Sequence, residues 1–455
     1  MKKSNLIFII IFILLLILPA VSMPFFANSP NTENRNPAPF PMLTDDNGSI
    51  NVEYFDEFDA WVNDHIGFRN IMVKANTAIH TGLFGHSPEE SVVLGSDGWL
   101  YYEDTVKDYV NIATISERNA YNIASSLAMV QDYVRSNEST FVFTIMPDKA
   151  ELYGDNMPYY YHVRDARDNK DLLEDALLSY DVNYVDMFSV FENEEEVMYQ
   201  TTDSHWNYKG ALMGYNAIMS AADYPYRTFD EISFEARKDW QGDLGVMLYS
   251  DACDTDVQLY PDYEFSYEIT SHETAVDSIN LSTANQLGNG NVLLYRDSFA
   301  NTMQIYFEEN FENAFLTRSV PYNMSYVTDK AADVTVIEIV ERNIPNLCDK
   351  APIMPAPIVS KDSFTALSDE DYSIYNVQSG NMIHFYGDIN EDLLHNGYEV
   401  CIGITGADGV MKTYRAFPIY ETELMGSDSS RDNGFSVYVP AEDIGDNFQP
   451  VILIK

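Results

Sequence analysis

Two short stretches of the chain carry the residue types of nucleophilic catalysis. In Thr201-Thr202-Asp203-Ser204-His205-Trp206-Asn207 an aspartate and a histidine stand two residues apart. On an extended backbone side chains alternate between faces, so Asp203 and His205 project to one side and the carboxylate can orient the imidazole. In Val292-Leu293-Leu294-Tyr295-Arg296-Asp297-Ser298-Phe299 an apolar run reads as a buried strand that breaks into a helix from about Ala300 to Glu309. A serine at such a turn exposes its hydroxyl, while the helix N-terminus offers free N–H groups and partial positive charge to an oxyanion. Asp203, His205 and Ser298 are therefore a candidate triad, and since triads are defined by geometry and role, the chain order Asp, His, Ser is no objection. A plainer reading stands beside it: Asp297 or Ser298 can simply cap the helix, and Asp-x-His also occurs by chance.

The elements that must position these residues alternate between helix and strand. A helix over about Ser116 to Arg135 precedes a strand from Thr140 to Met146, and a helix near Asp168 to Tyr180 precedes a strand from Val182 to Val190. The helix Tyr208 to Ala222, the strand Val292 to Tyr295 with its helix, and the strand Val334 to Val340 continue the pattern. This is the order of an α/β fold with a mainly parallel sheet, in which sites lie outside the carboxyl ends of strands. Pro147-Asp148-Lys149, Asp203 to His205, Arg296 to Ser298 and Glu341-Arg342 all fall at or after strand ends. Lys149, Trp206, Arg296 and Arg342 are therefore candidate substrate contacts, with structural ion pairing as the alternative for the two arginines. Residues 229–290 are rich in acids and turns, lack clear periodicity and read as a long insertion near the site. Within it, Asp239-Trp240-Gln241-Gly242-Asp243 is placed to lie over the cleft.

Four segments come in a familiar order and at a familiar spacing: Gly95-Ser96-Asp97-Gly98-Trp99-Leu100-Tyr101-Tyr102, Met146-Pro147-Asp148-Lys149-Ala150-Glu151-Leu152-Tyr153, Asp203-Ser204-His205-Trp206 and Tyr295-Arg296-Asp297-Ser298-Phe299. Over roughly residues 50 to 345 the chain resembles the SGNH-hydrolase-like family of the periplasmic alginate O-acetyltransferases and the related bacterial DHHW proteins. The resemblance implies an SGNH-like parallel sheet flanked by helices and carries the family's triad onto Asp203, His205 and Ser298. Ser204 stands where DHHW proteins have their first histidine, and no motif locates the family's glycine and asparagine oxyanion donors. Asp64-His65-Ile66-Gly67-Phe68-Arg69 resembles the helix that leads into the family's domain; His65 beside Asp64 is a rival catalytic pair, and a packing role is preferred for it. The implied activity is that of an extracytoplasmic serine-dependent O-acetyltransferase, or an acetylesterase, acting on a cell-surface or exported polysaccharide. The implied partner is a membrane-bound O-acyltransferase that delivers the acyl group; no metal or organic cofactor is indicated.

Composition limits the partners. The chain has 455 residues, 46% of them hydrophobic and 13% aromatic, enough for a large core and more than one domain. Its net charge of −45, from 26 basic and 71 acidic residues, repels polyanions. Nucleic acid is excluded as a partner on that ground, and a neutral or cationic glycan is expected as acceptor rather than a polyuronate. Residues 1–27 read as a signal peptide or membrane anchor: Lys2 and Lys3 precede an apolar run from Leu6 to Leu18 that continues to Phe26, with small residues at Ala20-Val21-Ser22. Lysines before the run hold the N-terminus inside, so the body is expected to lie outside the cytoplasm. Cys253, Cys348 and Cys401 cannot all pair within one chain.

Residues 28–50 read as an extended tether and residues 51–347 as the catalytic domain. Its opening segment, Val52 to about Phe84, is expected to be helical, with Phe55, Phe58, Val62 and Ile66 at helical spacing. Residues 348–360, with Ala351-Pro352-Ile353-Met354-Pro355-Ala356-Pro357, read as a stiff linker. Beyond it, alternating runs at Asn381–Tyr386, Tyr398–Ile404, Lys412–Ile419, Gly434–Val439 and Pro450–Ile454, with a hairpin signal at Asp408-Gly409, predict a β-sandwich over residues 361–455. Such a domain serves as a spacer or as a carbohydrate-binding module. Two rival functions remain: a non-catalytic glycan-binding or cell-wall scaffold protein on the same fold, and a hydrolase using Asp203, His205 and nearby acids as metal ligands, which no ligand spacing supports.

Overall fold

The structure, a computed structural model, describes residues 3–26, 38–44, 48–250, 253–405, 409–420, 431–444 and 448–455. Most of the tether, Lys2 and Asp408 fall outside these residues. Helix α1 (Lys3–Phe26) contains one stretch long and apolar enough to cross a membrane, Asn5–Met23, with mean hydropathy 3.2. The single helix expected over Val52–Phe84 is broken. Helix α2 (Tyr54–His65) ends at Ile66, α3 (Arg69–Ile79) starts after Phe68 at φ 63°, and a π-helical turn covers His80–Phe84. At the break the Gly67 N–H donates to the Pro19 carbonyl at 3.1 Å, and a Cβ at Gly67 would collide with Ser22. The apolar spacing of α2 therefore forms no core face: Phe55 is 81% exposed.

The body begins with a hairpin, β1 (Val92–Leu94) and β2 (Leu100–Tyr102), and the short helix α4 (Val106–Tyr109). Helix α5 (Glu117–Ser136) starts at an N-cap, Ser116, whose hydroxyl accepts the Asn119 N–H while Asn119 returns a bond to the Ser116 N–H. Strand β3 (Thr140–Met146), helix α6 (Lys149–Tyr153), helix α7 (Asn169–Ser179), strand β4 (Tyr184–Asp186), helix α8 (Met187–Phe191) and helix α9 (Tyr208–Ala222) follow. The strand expected over Val182–Val190 is thus cut short. Asp186 accepts the N–H groups of Phe188 and Ser189 and starts a helix there.

The supposed insertion is built of regular elements: β5 (Phe234–Trp240), α10 (Asp243–Tyr249), β6 (Asp256–Pro261), β7 (Glu268–Ile269) and β8 (Asn280–Ala284). Strand β9 (Asn291–Tyr295), helix α11 (Ala300–Asn310), strand β10 (Asn313–Thr317), helix α12 (Ser325–Asp329) and strand β11 (Val334–Val340) complete the body. The central sheet has the order β4-β3-β11-β9-β10-β8-β7. Five strands run parallel, while β8 and β7 extend the sheet antiparallel at one edge.

Period-two alternation explains why helices cover both faces. Phe141, Phe143, Ile145, Leu293 and Tyr295 pack with Ile123, Leu127 and Leu173 of α5 and α7. Their neighbours Val142, Met146, Val292 and Leu294 pack on the other face with Tyr215 and Ile218 of α9 and Met303 and Phe307 of α11. Strands apolar at successive positions are those buried on both faces.

The C-terminal region consists of β12 (Ile358–Val359), β13 (Thr365–Ala366), β14 (Tyr372–Ser379), β15 (Met382–Ile389), β16 (Val400–Thr405), β17 (Met411–Arg415), β18 (Phe417–Ile419), β19 (Gly434–Pro440) and β20 (Pro450–Ile454). They form two antiparallel sheets, β12-β17-β16-β20-β13 and β14-β15-β19-β18, which contribute to one apolar cluster including Phe385, Val437, Ile402 and Ile452. The proline segment does not hold this region at a distance. Cys348, Ala351 and Met354 are buried in the same cluster as α5, together with Phe417 and Ile419 of β18. The Arg118 guanidinium on α5 pairs with Asp432, and Arg415 donates to Ser125 at 3.1 Å. The C-terminal region is therefore docked on α5. Cys253, Cys348 and Cys401 are all free thiols.

Candidate active site

The loop from Thr201 to Ser204 is a run of bends and not the extended strand on which Asp203 and His205 were expected to share a face. A local turn brings them together: Asp203 Oδ1 accepts both the His205 backbone N–H at 2.9 Å and the ring Nδ1–H at 2.7 Å. Lys149, at the carboxyl end of β3, reaches under this loop. Its ammonium donates to the carbonyls of Gln200 and Thr201 at 3.1 Å and of Asp203 at 2.5 Å. Burial lowers the Lys149 pKa to about 8, against the pull of Asp203, Asp243 and Asp256. From the other side Leu100 N–H of β2 donates to the Thr201 carbonyl at 3.0 Å, which gives the Gly95–Tyr102 segment its place in the site.

Ser298 sits between β9 and α11 on a turn that Asp297 holds in shape. Asp297 Oδ1 accepts the Phe299 N–H at 2.9 Å, while Oδ2 accepts the Val340 N–H at 2.7 Å and the Asn343 side chain at 3.0 Å. The end of β9 is thereby tied to the end of β11. Helix α11 takes no side-chain cap at Phe299, its N-cap residue, and the Ser298 hydroxyl lies 2.8 Å from His205 Nε2. Trp206 joins the two motifs directly: its indole N–H donates to the Phe299 carbonyl at 2.9 Å.

A carboxylate can only accept, so Asp203 forces the proton onto Nδ1 and leaves Nε2 free to accept from the Ser298 hydroxyl. Burial alone would raise the Asp203 pKa; the hydrogen bond and charge of His205 and the Trp240 indole outweigh it and hold the carboxyl well below its ordinary range. Burial alone would lower the His205 pKa, but Asp203 and the charge of Asp243 outweigh it and hold the imidazole above its ordinary value.

Asp243, the N-terminal residue of α10, lies in the segment expected at the cleft, but no sequence motif assigned it a role in the site. Its Oδ2 lies 3.5 Å from His205 Nδ1, and its carboxylate accepts the Ser204 N–H at 2.7 Å and the Ser204 hydroxyl at 2.5 Å. The Asp243 N–H and the Trp240 indole N–H both donate to Asp203 Oδ2, at 3.2 and 2.8 Å. The Asp239–Asp243 segment, expected near the cleft, is therefore bonded directly to the Asp203 carboxylate. The approach requires Gly242, where a Cβ would fall 2.3 Å from the Thr202 carbonyl oxygen.

With four N–H donors on its two oxygens, Asp203 has no lone pair left for a metal. His205 uses both ring nitrogens on Asp203 and Ser298. The ligand atoms of Asp203, His205 and Asp243 lie within 4.8 Å of one another, yet the arrangement they form is a hydrogen-bond relay. Such a relay suits acyl transfer through an activated serine.

A family model described as the SGNH hydrolase-like domain of acetyltransferase AlgX matches residues 92–325, half of the chain. The chain belongs to this family. Solved structures similar to it include a DHHW family protein from Eubacterium siraeum, 17% identical, with a TM-score of 0.42 over 56% of this chain and 94% of that one. PatB1 from Bacillus cereus, solved with a sulfonyl adduct, is 16% identical, with a TM-score of 0.44 over 55% of this chain and 95% of that one. AlgX from Pseudomonas aeruginosa is 13% identical, with a TM-score of 0.35 over 80% of this chain and 94% of that one. No curated protein matches the chain.

In this SGNH hydrolase-like domain three of the four expected substrate contacts are committed elsewhere. Lys149 and Trp206 are buried and bonded to backbone carbonyls, as above. Arg296 is buried too, donating to the Val276 carbonyl and to Asn301, both at 2.7 Å. All three stand at strand or loop ends as expected, but their side chains turn inward. Arg342 pairs with Asp148 at 2.6 Å and keeps 15% of its side chain exposed, with its guanidinium 5.5 Å from the centre of the Phe299 ring. It is the expected contact that still has a face toward solvent.

A general base must be neutral, so the rising limb of kcat/KM against pH should lie above the ordinary histidine pKa. Asp243→Asn removes a charge that favours the imidazolium and should move that limb to lower pH. The plateau rate should fall less than about tenfold, because Asp203 still fixes the tautomer. A limb unmoved in the variant contradicts the assigned role of Asp243.

Proposed function

We propose that this chain is an extracytoplasmic, serine-dependent O-acetyltransferase that modifies a polysaccharide. The observation that carries the reading is the unbroken Asp203–His205–Ser298 hydrogen-bond chain, with links of 2.7 and 2.8 Å, set at the carboxyl ends of the sheet. Ser298 Oγ attacks the acyl carbonyl as His205 Nε2 takes its proton. The tetrahedral intermediate collapses, His205 gives the proton to the leaving group, and the acyl group stays on Ser298 as an ester. A sugar hydroxyl, deprotonated by the same nitrogen, then attacks the ester and restores Ser298; water in its place makes the reaction an esterase. The family's description as an acetyltransferase supports acetyl as the group, and the polysaccharide acceptor follows from the resemblance to the alginate O-acetyltransferases.

Placement outside the cytoplasm rests on the apolar span Asn5–Met23 preceded by lysines. A membrane-bound O-acyltransferase is the proposed donor. For the acceptor, a net charge of −45 disfavours a polyuronate. Lys149 and Arg296 are committed inside the protein, while Arg342, 5.5 Å from the centre of the Phe299 ring, keeps a face toward solvent. We also propose that the two C-terminal sheets form a β-sandwich that supports α5 and offers a surface for the glycan. Incubation with an activated acetyl ester and either a neutral oligosaccharide or an oligouronate tests the reading. O-acetylated neutral sugar is expected; release of acetate alone makes the protein an esterase, and preferential acetylation of the uronate overturns the acceptor class.

A further inference from the structure

Beside the triad, but separate from it, three carboxylates converge where β3 and β11 end. Glu151 on α6, Asp168 at the N-terminus of α7 and Glu341 just after β11 each place one oxygen within 4.8 Å of the others. Glu341 is fully buried. Its Oε2 accepts the Asp148 N–H at 3.1 Å, and its Oε1, also buried, meets no donor among the described residues. With Oε2 engaged, Oε1 is the oxygen left to the cluster. Glu151 Oε1 is likewise buried without a partner. Asp168 spends Oδ1 on the Asp171 N–H at 2.8 Å.

The neighbouring cations are committed elsewhere. Lys170 pairs with Glu174 at 3.0 Å and lies over the Phe188 ring, and Arg342 pairs with Asp148. Asp108, held by the Asn169 side chain at 3.0 Å, adds to the negative field. Buried carboxylates this close need a proton or a cation between them. Glu151 also lines a cavity of about 350 Å³, with Tyr109, Asn111, Gly154 and Asp155, which places space for water next to one member of the cluster.

We propose that Glu151, Asp168 and Glu341 bind a divalent cation of the calcium class, with water from the cavity completing its shell. An all-oxygen, carboxylate-rich donor set selects a hard cation, and calcium accepts irregular geometry where magnesium demands an octahedron. The ion braces the ends of β3 and β11, since Glu341 Oε2 holds the Asp148 N–H and Asp148 holds Arg342. Its role is structural, and the proposal does not depend on the acetyltransferase reading.

The test uses the full chain, purified in detergent and stripped with EDTA. Equilibrium dialysis against calcium should find one more ion per chain in the wild type than in Glu151→Gln or Glu341→Gln, with a Kd between about 10⁻⁵ and 10⁻³ M. Calcium should raise the wild-type Tm more than magnesium does, and the variants should lose that difference. The extra-ion comparison separates this site from weak binding to an acidic surface, and Glu151, partly exposed at the cavity, supplies a variant that folds if Glu341→Gln does not. Equal stoichiometry and equal Tm response in wild type and Glu151→Gln overturn the proposal. So does a wild type that is stabilised by acid alone, which assigns the cluster to protons, or one that prefers magnesium.

Discussion

Replacing Ser298 by alanine should lower the turnover of a small acetyl ester by on the order of 10⁴-fold or more, and the variant should still fold. The hydroxyl's described partner is His205, so its loss leaves no other buried group unpaired. His205→Ala should cost about as much in rate. The decisive comparison is the double variant, which should be little worse than either single one, because the nucleophile without its base and the base without its nucleophile are equally idle. Circular dichroism and Tm check the fold, and steady-state kinetics of the four proteins check the coupling. Losses that multiply in the double variant would mean that Ser298 and His205 act separately.

Asp203→Asn should be nearly as damaging although it removes no volume. The aspartate accepts four N–H bonds, two on each oxygen. Asparagine has one carbonyl oxygen, and its amide must then point two donors at groups that also donate. If the amide faces His205, Nδ1 becomes an acceptor and the proton moves to Nε2, where it opposes abstraction from Ser298. If it faces the other way, it confronts the Trp240 and Asp243 N–H groups. A loss in kcat on the order of 10⁴ is expected, the size of a wrong-tautomer defect in a serine triad. Some stability is lost as well, about 1–3 kcal/mol for the mismatched buried donors. Among the described residues Asp243, 3.5 Å from Nδ1, is the other carboxylate in reach to compensate. Adding Asp243→Asn to Asp203→Asn should therefore remove residual activity that the single variant keeps. A loss smaller than about tenfold in Asp203→Asn would show that the tautomer does not limit the rate.

What the sequence made legible is what local patterns encode. The strands Thr140–Met146 and Val334–Val340 were readable to the residue, because their apolar runs are buried on both faces and end in proline or charge. Helix starts at Ser116, Asp168 and Asn207 follow from side chains that cap them. The strand-turn-helix around Ser298 was equally plain. The direction of side chains at strand ends was not legible: Arg296 and Arg342 both follow a strand, yet one turns into the protein onto the Val276 carbonyl and the other toward Phe299. The segment of Asp243 was expected at the cleft, but its contact with Asp203 and His205 was hidden for another reason. Asp243 reaches Asp203 across forty residues of chain, in a segment whose short elements give no periodic signal. The clue was Gly242, a residue that lets two backbones touch. Strand β10 was missed because five residues after a helix offer too little pattern, and the docking of β18 on α5 because a proline-rich connection looks the same whether packed or free.

The account's central claim is that Ser298 carries the acyl group. Incubating the protein with an activated acetyl ester, quenching in acid and mapping the adduct by peptide mass spectrometry tests it most directly. One acetyl group on Ser298 is predicted, absent in Ser298→Ala and in His205→Ala, and discharged when a sugar acceptor is added. An unmodified Ser298 under conditions of measurable turnover, or an adduct that forms equally in His205→Ala, would contradict it.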